Sequence, residues 1–388
     1  MADSSRHNLF FVPEDTYGTT PANPALAKLR HKGTTLGLAK GSVTSEEIRA
    51  DRQVQDFRHG TKQVGGDVTC ELCYTAFDAL LEAVLCGTWA AEHAQVAKTT
   101  ISAAAVDNSY NDSGAGLPVY TVGDTVTIAG FTTVGNNGAA VVVSSTVSKL
   151  VVSGLTLTDE VAGDAVTITQ TNLDVLKAGV VRRSFSMLRN FGDIETADKP
   201  YHLFTGVELA KLDLKVTPGA IVELGLGLVG KGMSTATAAP AGATYLAADT
   251  HAPMDSFSGA VLVDAVENGV VTELTTTLEN GIEARFIVGS AETIRPSIGR
   301  SNMTGQLSVY FEDSDMIDRF LDETETAISY VLGDGTQGYR ITYPRVKFTG
   351  GQPDVSGAGP ITLAMPFQAL YSTSAGTQII VKRLRSLA

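Results

Sequence analysis

The sequence predicts a mainly β protein with a few short helices, and three observations carry that expectation. Val, Thr and Ile recur in short alternating runs, 39 glycines and 13 prolines commit much of the 388 residues to turns, and long helical stripes are scarce. Single cores rarely grow past roughly 250–300 residues, so two or three domains are expected at this length. The composition, 43% hydrophobic and 18% charged, is that of a globular chain.

The first clear elements are a strand and the helix after it. Val68, Cys70 and Leu72 alternate onto one face, and Phe77, Leu80, Leu81, Val84 and Leu85 then form the stripe of a helix packed on a sheet. Gly87 lies just beyond and ends it. Upstream, residues 34–64 are polar with no sustained apolar stripe, and the Thr44/Glu47 spacing predicts a short helical turn. Charges alternate there: Glu46, Glu47, Asp51 and Asp56 against Arg49, Arg52, Arg58 and Lys62. A solvated loop or hairpin is the plain reading. A contact arm is the sharper one, because long loops in compact domains are usually functional or disordered, and the interspersed signs suit a partner surface.

From 97 to 172 the chain has no Arg, His, Met or Trp, and short strands are expected at 125–128, 131–133, 140–145, 149–152 and 165–169. Asn136, Asn137 and Gly138 read as a hairpin turn. This is expected to be an inserted β-sandwich or barrel, immunoglobulin-like, on an exposed face. Residues 232–256, rich in Ala, Thr and Pro without periodicity, read as a linker.

The parts on either side of that linker resemble each other in order. TCELCY at 69–74 is matched by TGQLSVY at 304–310, each before a helix; the second helix carries Met316, Ile317, Phe320 and Leu321, with Asp313 or Ser314 as N-cap. Tyr201 and Tyr339 open matching strands, Gly219 and Gly359 the next pair, and EEIR ending at Arg49 answers ETIR ending at Arg295. We read an internal duplication: residues 1–96 and 173–231 as a first core, 97–172 as the insert, 232–256 as the linker and 257–388 as a second core.

Candidate chemistry thins out on inspection. GLGLVG at 225–230 imitates a phosphate loop, yet Val222, Leu224, Leu226 and Leu228 keep strand alternation through it and no helix follows. Cys70 and Cys73 sit three apart on a strand, facing opposite sides, with no second ligand pair. The six histidines are scattered, and Glu312, Asp313, Asp315 and Asp318 suit a helix start rather than a calcium loop. The expectation is no enzyme, no metal and no cofactor. A net charge of −13 argues against gripping DNA, which binders hold with clustered Lys and Arg. No secretory signal, membrane span or disulfide framework is read from the sequence, and three cysteines suit a reducing cytoplasm.

EDTYGTTP at 14–21, LRHKGTTL at 29–36, SEEIRADRQVQD at 45–56, VGGDVTCELCYTAFDALLEAVLCGTW at 64–89 and GYRITYPRVKF at 338–348 together resemble the tail tube proteins of long-tailed phages with non-contractile tails. The resemblance covers most of the chain outside the insert. It implies a split β-barrel core with a flanking helix, subunits closing into rings, rings stacking into a tube, and genomic DNA passing through without sequence-specific binding. It also implies a place in the virion tail after assembly in the host cytoplasm. The implied partners are further copies, the tape measure protein, the tail terminator and the distal tail or baseplate proteins. Six single-core subunits make the usual ring, so two cores per chain suggest three chains with pseudo-sixfold symmetry, six chains being the other count. The competing class is a surface adhesin or decoration protein whose insert binds a ligand. The eight charged residues of the arm are expected to make contacts between rings.

Overall fold

The computed structural model describes residues 3–93, 97–172, 174–256, 261–264, 266–267, 271–355 and 358–385. Three expected boundaries, at 94–96, at 173 and at 257–260, lie outside the described residues. The chain forms two units: Met1–Gly87 with Ala178–Gly335 and Ile341–Ile380, and Thr88–Lys177 with Thr336–Arg340 and Val381–Ala388.

Eight strands organise the first unit: β1 (Gly37–Thr44), β2 (Phe57–Glu71), β3 (Tyr201–Val216), β4 (Glu223–Gly230), β5 (Val271–Glu279), β6 (Asn302–Tyr310), β7 (Gly338–Phe348) and β8 (Thr362–Ala369). They pair antiparallel in the order β1–β2–β4–β3–β5–β6–β8–β7. Period-two alternation gives the sheet one apolar face and one polar face. Val68, Cys70, Leu212, Leu214, Leu224, Leu226, Leu274, Leu278, Leu307, Met365 and Phe367 are buried on the first.

Helix α1 (Asp78–Val84) begins where the apolar stripe predicts. Phe77, Leu80 and Val84 are buried, each contributing about 1.5–3 kcal/mol relative to an exposed side chain. Asn280 closes its C-terminal end, Nδ2 donating to the Val84 carbonyl at 2.7 Å. Helix α2 (Asp315–Leu321) occupies the matching position after β6, but of its stripe only Met316 is buried. Asp313 rather than Ser314 supplies the side-chain cap, Oδ1 accepting from the Asp315 N–H at 3.0 Å.

A second sheet shares β3. His7–Pro13 pairs with Phe185–Phe191 and with Ala25–Leu29, while Phe185–Phe191 and Gly232–Ala236 lie along the N-terminal part of β3. Residues 232–256 therefore differ from the structureless linker expected. Gly232–Ala236 is a strand, Thr244–Leu246 runs parallel to Ala25–Leu29, and Met254 is buried. Adding a strand to an edge uses backbone groups alone, so no apolar period was needed to announce it.

Two other local expectations fail. No helix forms at Thr44 and Glu47: Ser45 Oγ accepts the Glu47 N–H at 3.3 Å, and the chain is the end of a β-hairpin. Residues 131–133 are not a strand; the hairpin expected at Asn136 to Gly138 forms, Thr125–Ala129 pairing antiparallel with Gly138–Ser145, but through a longer connection that includes a short 3-10 turn at Val134–Asn136.

The second unit is built on one six-stranded antiparallel sheet. In spatial order its strands are Thr167–Gln170, Thr125–Ala129, Gly138–Ser145, Lys149–Ser153, Ser109–Asp112 and Ile101–Ala104. Residues at its two edges meet at a bridge between Lys98 and Val166, so the sheet curls on itself rather than splitting into the two packed layers of an immunoglobulin-like sandwich. Tyr110, Val126, Ile128, Leu150 and Ile168 fill it. Asp112, buried, accepts from Thr100, Gly114 and Gly116 and pairs with Lys98 at 3.2 Å. Despite burial, those bonds bring its carboxyl down to about 2.

Candidate assembly surfaces

The polar face of the eight-stranded sheet is the broadest functional candidate. Over its first half and the adjoining β5 it carries Asp67, Glu71, Asp213, Glu223, Glu273 and Glu279 against Lys32, Lys211 and Lys215, with Thr69, Thr275 and Thr277 between them. Lys32 meets Glu223 at 2.6 Å, Lys211 meets Asp213 at 3.0 Å and Lys215 meets Glu273 at 3.1 Å. Each lysine is thus answered, and the carboxylates remain in excess. Thr304, Gln306, Ser308, Thr362 and Gln368 continue the face with neutral polar groups, and Lys347 on β7, opposite Gln368, is answered by Glu323 at 3.5 Å.

GLGLVG belongs to this wall. It is strand throughout, and a Cβ at Gly227 would lie 2.8 Å from the Lys211 Cβ. The glycine lets the neighbouring lysine lie across the strand. Strand geometry rules out the helix-capped phosphate loop that the letters imitate. Cys70 and Cys73 are both buried and free, and burial pushes the Cys70 thiol up to about 12.

The predicted arm is the far end of the β1–β2 hairpin, and four of its eight charges form local pairs. Arg49 grips Asp51 through Nε at 2.9 Å and Nη2 at 2.7 Å, holding that carboxyl below its ordinary value, and Nη1 reaches Gln55. Arg58 stands 3.7 Å from Asp56. Lys62 pairs with Glu292 at 3.9 Å, and its N–H donates to the Ala291 carbonyl. Glu46, Glu47 and Arg52 have no ion pair among the described residues. The sequence reading missed the arm's apolar content: Val43, Ile48, Val54 and Phe57 are exposed, Ile48 at 98%.

A second hairpin, Glu283–Arg285 with Ile294–Ser297, joins β5 to β6 as the first joins β1 to β2. It exposes Ile287, Val288 and Ile294. Its Arg295, from ETIR, donates to Glu208 on β3 at 3.0 Å, and Arg182 holds the other oxygen of that buried carboxylate.

The EDTYGTTP segment is a pinned turn. The Glu14 carboxylate accepts from Gly18 N–H at 2.7 Å, Gly206 N–H at 2.8 Å, Ser184 Oγ at 2.8 Å and Ser186 Oγ at 2.7 Å. Three of the scattered histidines also converge. His7 Nδ1 lies 2.9 Å from His31 Nε2, Arg189 Nε donates to His7 Nε2 at 3.0 Å, and His202 stacks edgewise on Phe191 beside them. Burial first and Arg189 second pull His7 down to about 4; His31 and His202 are lowered as well, chiefly by burial.

Among the described residues no group of three or more His, Cys, Asp or Glu could hold a metal ion, and no helix is long and apolar enough to cross a membrane. Sheets with open edges, a polar wall and apolar hairpin tips define a structural protein built to meet other chains. The model of the phage tail tube protein family matches residues 4–369, and the chain belongs to that family, a component of the virion tail. No curated protein matches it significantly. Nothing in the match supports the adhesin reading.

Proposed function

We propose that the chain is the ring-forming subunit of a long, non-contractile tail tube, with the polar face of the eight-stranded sheet lining the passage for genomic DNA. That face carries the proposal. Excess carboxylates, with every lysine on its first half already paired, give a wall that repels phosphates; free cationic groups would hold DNA by counterion release. The apolar face and α1 lie behind it. In this reading, rings stack through the hairpin arms, and tape measure, terminator and baseplate proteins complete a tail assembled in the host cytoplasm.

The ring holds three chains, because the chain carries the core twice. The strand order β1–β2–β4–β3 in the first half is repeated as β5–β6–β8–β7 in the second, with a helix after β2 and after β6 in each case. Strand order is harder to match by chance than short sequence likenesses. The insert adds a small β-domain to the first copy alone.

Electron microscopy of the purified protein tests the reading. Hollow tubes with a regular axial repeat are expected. A chain that stays monomeric at all concentrations, or a lumen lined by the apolar face, would overturn it.

A further inference from the structure

Within the described eight-stranded sheet one ladder joins the two halves, and it offers a template for a junction between chains. Residues 211–216 of β3 lie antiparallel to 274–279 of β5, with Leu212 opposite Leu278 and Leu214 opposite Thr276. On the polar face Thr277 Oγ1 donates to Asp213 Oδ1 at 2.7 Å.

Equivalent positions follow from the transverse rows. In the first half Thr34, Val68, Leu226 and Leu212 stand side by side across four strands. In the second half the row is Thr276, Gly305, Phe367 and Phe348. Thr34 therefore corresponds to Thr276 and Leu212 to Phe348. Two residues on, Leu36 corresponds to Leu278, and both are buried.

Two edges are left at the ends of the eight-stranded run. One is the stretch 33–37 leading into β1. Its Leu36 N–H is accepted by Thr34 Oγ1 at 3.1 Å, and its Leu36 carbonyl accepts from Arg189 Nη1 at 2.7 Å. These caps shield an edge that would otherwise pair indiscriminately. The other edge follows Phe348, where the described ladders run to β8 through Phe348–Phe367 and Pro353–Leu363.

Resting on the tube reading above, we propose that the 33–37 edge of one copy pairs antiparallel with residues 347–351 of a second copy of this chain. The register is that of the internal junction: Leu36 opposite Phe348, Thr35 opposite Thr349 and Thr34 opposite Gly350. The incoming strand exchanges the two local caps on Leu36 for ladder bonds, and Pro353, which has no N–H, ends the ladder. Every core then meets its neighbours through the same kind of junction, as a closed ring requires.

Thr35 and Thr349 are both exposed, and all three native cysteines are buried, so engineered thiols report the register cleanly. Tubes of a T35C/T349C chain should form interchain disulfides on mild oxidation, ending in a covalent closed ring on a non-reducing gel. A T35C/V355C chain, out of register, should cross-link at least about tenfold less. If the doubly substituted chain does not assemble, T35C and T349C chains mixed into wild-type tubes carry the same comparison as a covalent dimer. Tubes of normal shape without the cross-link, or equal cross-linking in the out-of-register chain, overturn this junction and leave the tube reading intact. Wild-type protein that never assembles overturns both.

Discussion

Glu14 shows how much a single side chain can organise. Its two oxygens take four hydrogen bonds, from two backbone N–H groups on separate segments and from two serines of a third. Removing an acceptor leaves those donors unmatched, at about 1–3 kcal/mol for a buried group and more where several are stranded together. Glu14→Ala should lower unfolding stability by about 2–3 kcal/mol in denaturant titration, while Asp15→Ala beside it, exposed, should change little. The histidine cluster sets a different sensitivity. His7 is held near 4 in the folded chain against an ordinary 6.5, so the folded state binds fewer protons than the unfolded one below that ordinary value. Stability is fully present above about pH 6.5 and is lost progressively as the pH falls towards about 4. His7→Gln should flatten that part of a melting-temperature profile; an unchanged slope would assign the acid sensitivity elsewhere. Neither arrangement was legible as spacing. Glu14 gathers its partners from 18, 184, 186 and 206, and His7, His31 and His202 approach only because His7–Pro13 lies against Phe185–Phe191, which in turn lies against β3.

At the scale of elements, what the sequence shows depends on whether the information is local. α1 is legible because Phe77, Leu80 and Val84 recur at helical spacing and one face suffices to bury them. β4 is legible because Val222, Leu224, Leu226 and Leu228 keep period two through the glycines. Gly232–Ala236 is not, since its reason for being a strand lies on β3 and its own residues carry no alternation. The arm stands between these cases. Its alternating charges mark it, but its capping-box letters mislead, because the β1–β2 ladder takes Thr44 into a strand opposite Phe57 before any helix can nucleate. Reversing Arg49 and Arg52 to Glu tests its role. Arg49 already holds Asp51, so its loss frees a carboxylate, while Arg52 has no ion pair to lose among the described residues. Stacking should weaken in the double variant most strongly at low salt, where added negative charge is least screened, with circular dichroism of the subunit unchanged. Tubes of normal length across the salt range would refute a contact arm.

For the whole molecule, the insert and the core make separable predictions. The chain leaves the first unit after Gly87 and returns at Ala178, where Gly179 N–H donates to the Leu85 carbonyl at 3.0 Å and Val181 N–H to the Cys86 carbonyl at 2.8 Å. Exit and re-entry are therefore neighbours, and a short Gly/Ser bridge in place of 97–172 should leave the core folded and able to form tubes. Insoluble or monomeric protein would make the insert part of the tube wall. The ring count follows from the core. Residues 211–216 of β3 and 274–279 of β5 join two runs of the same strand order within one chain, so in the proposed ring a chain would supply two consecutive positions around the axis. Six positions then need three chains, with junctions inside a chain alternating with junctions between chains, and the two differ in sequence: Leu212 against Leu278 inside, Phe348 against Leu36 between. Only the first copy bears the insert, so end-on views should show three insert densities per ring, and mass measurement of cross-linked rings should give three chains. Six insert densities would mean six chains and twelve core positions, a wider lumen, and no use of the internal repeat to complete a sixfold wall.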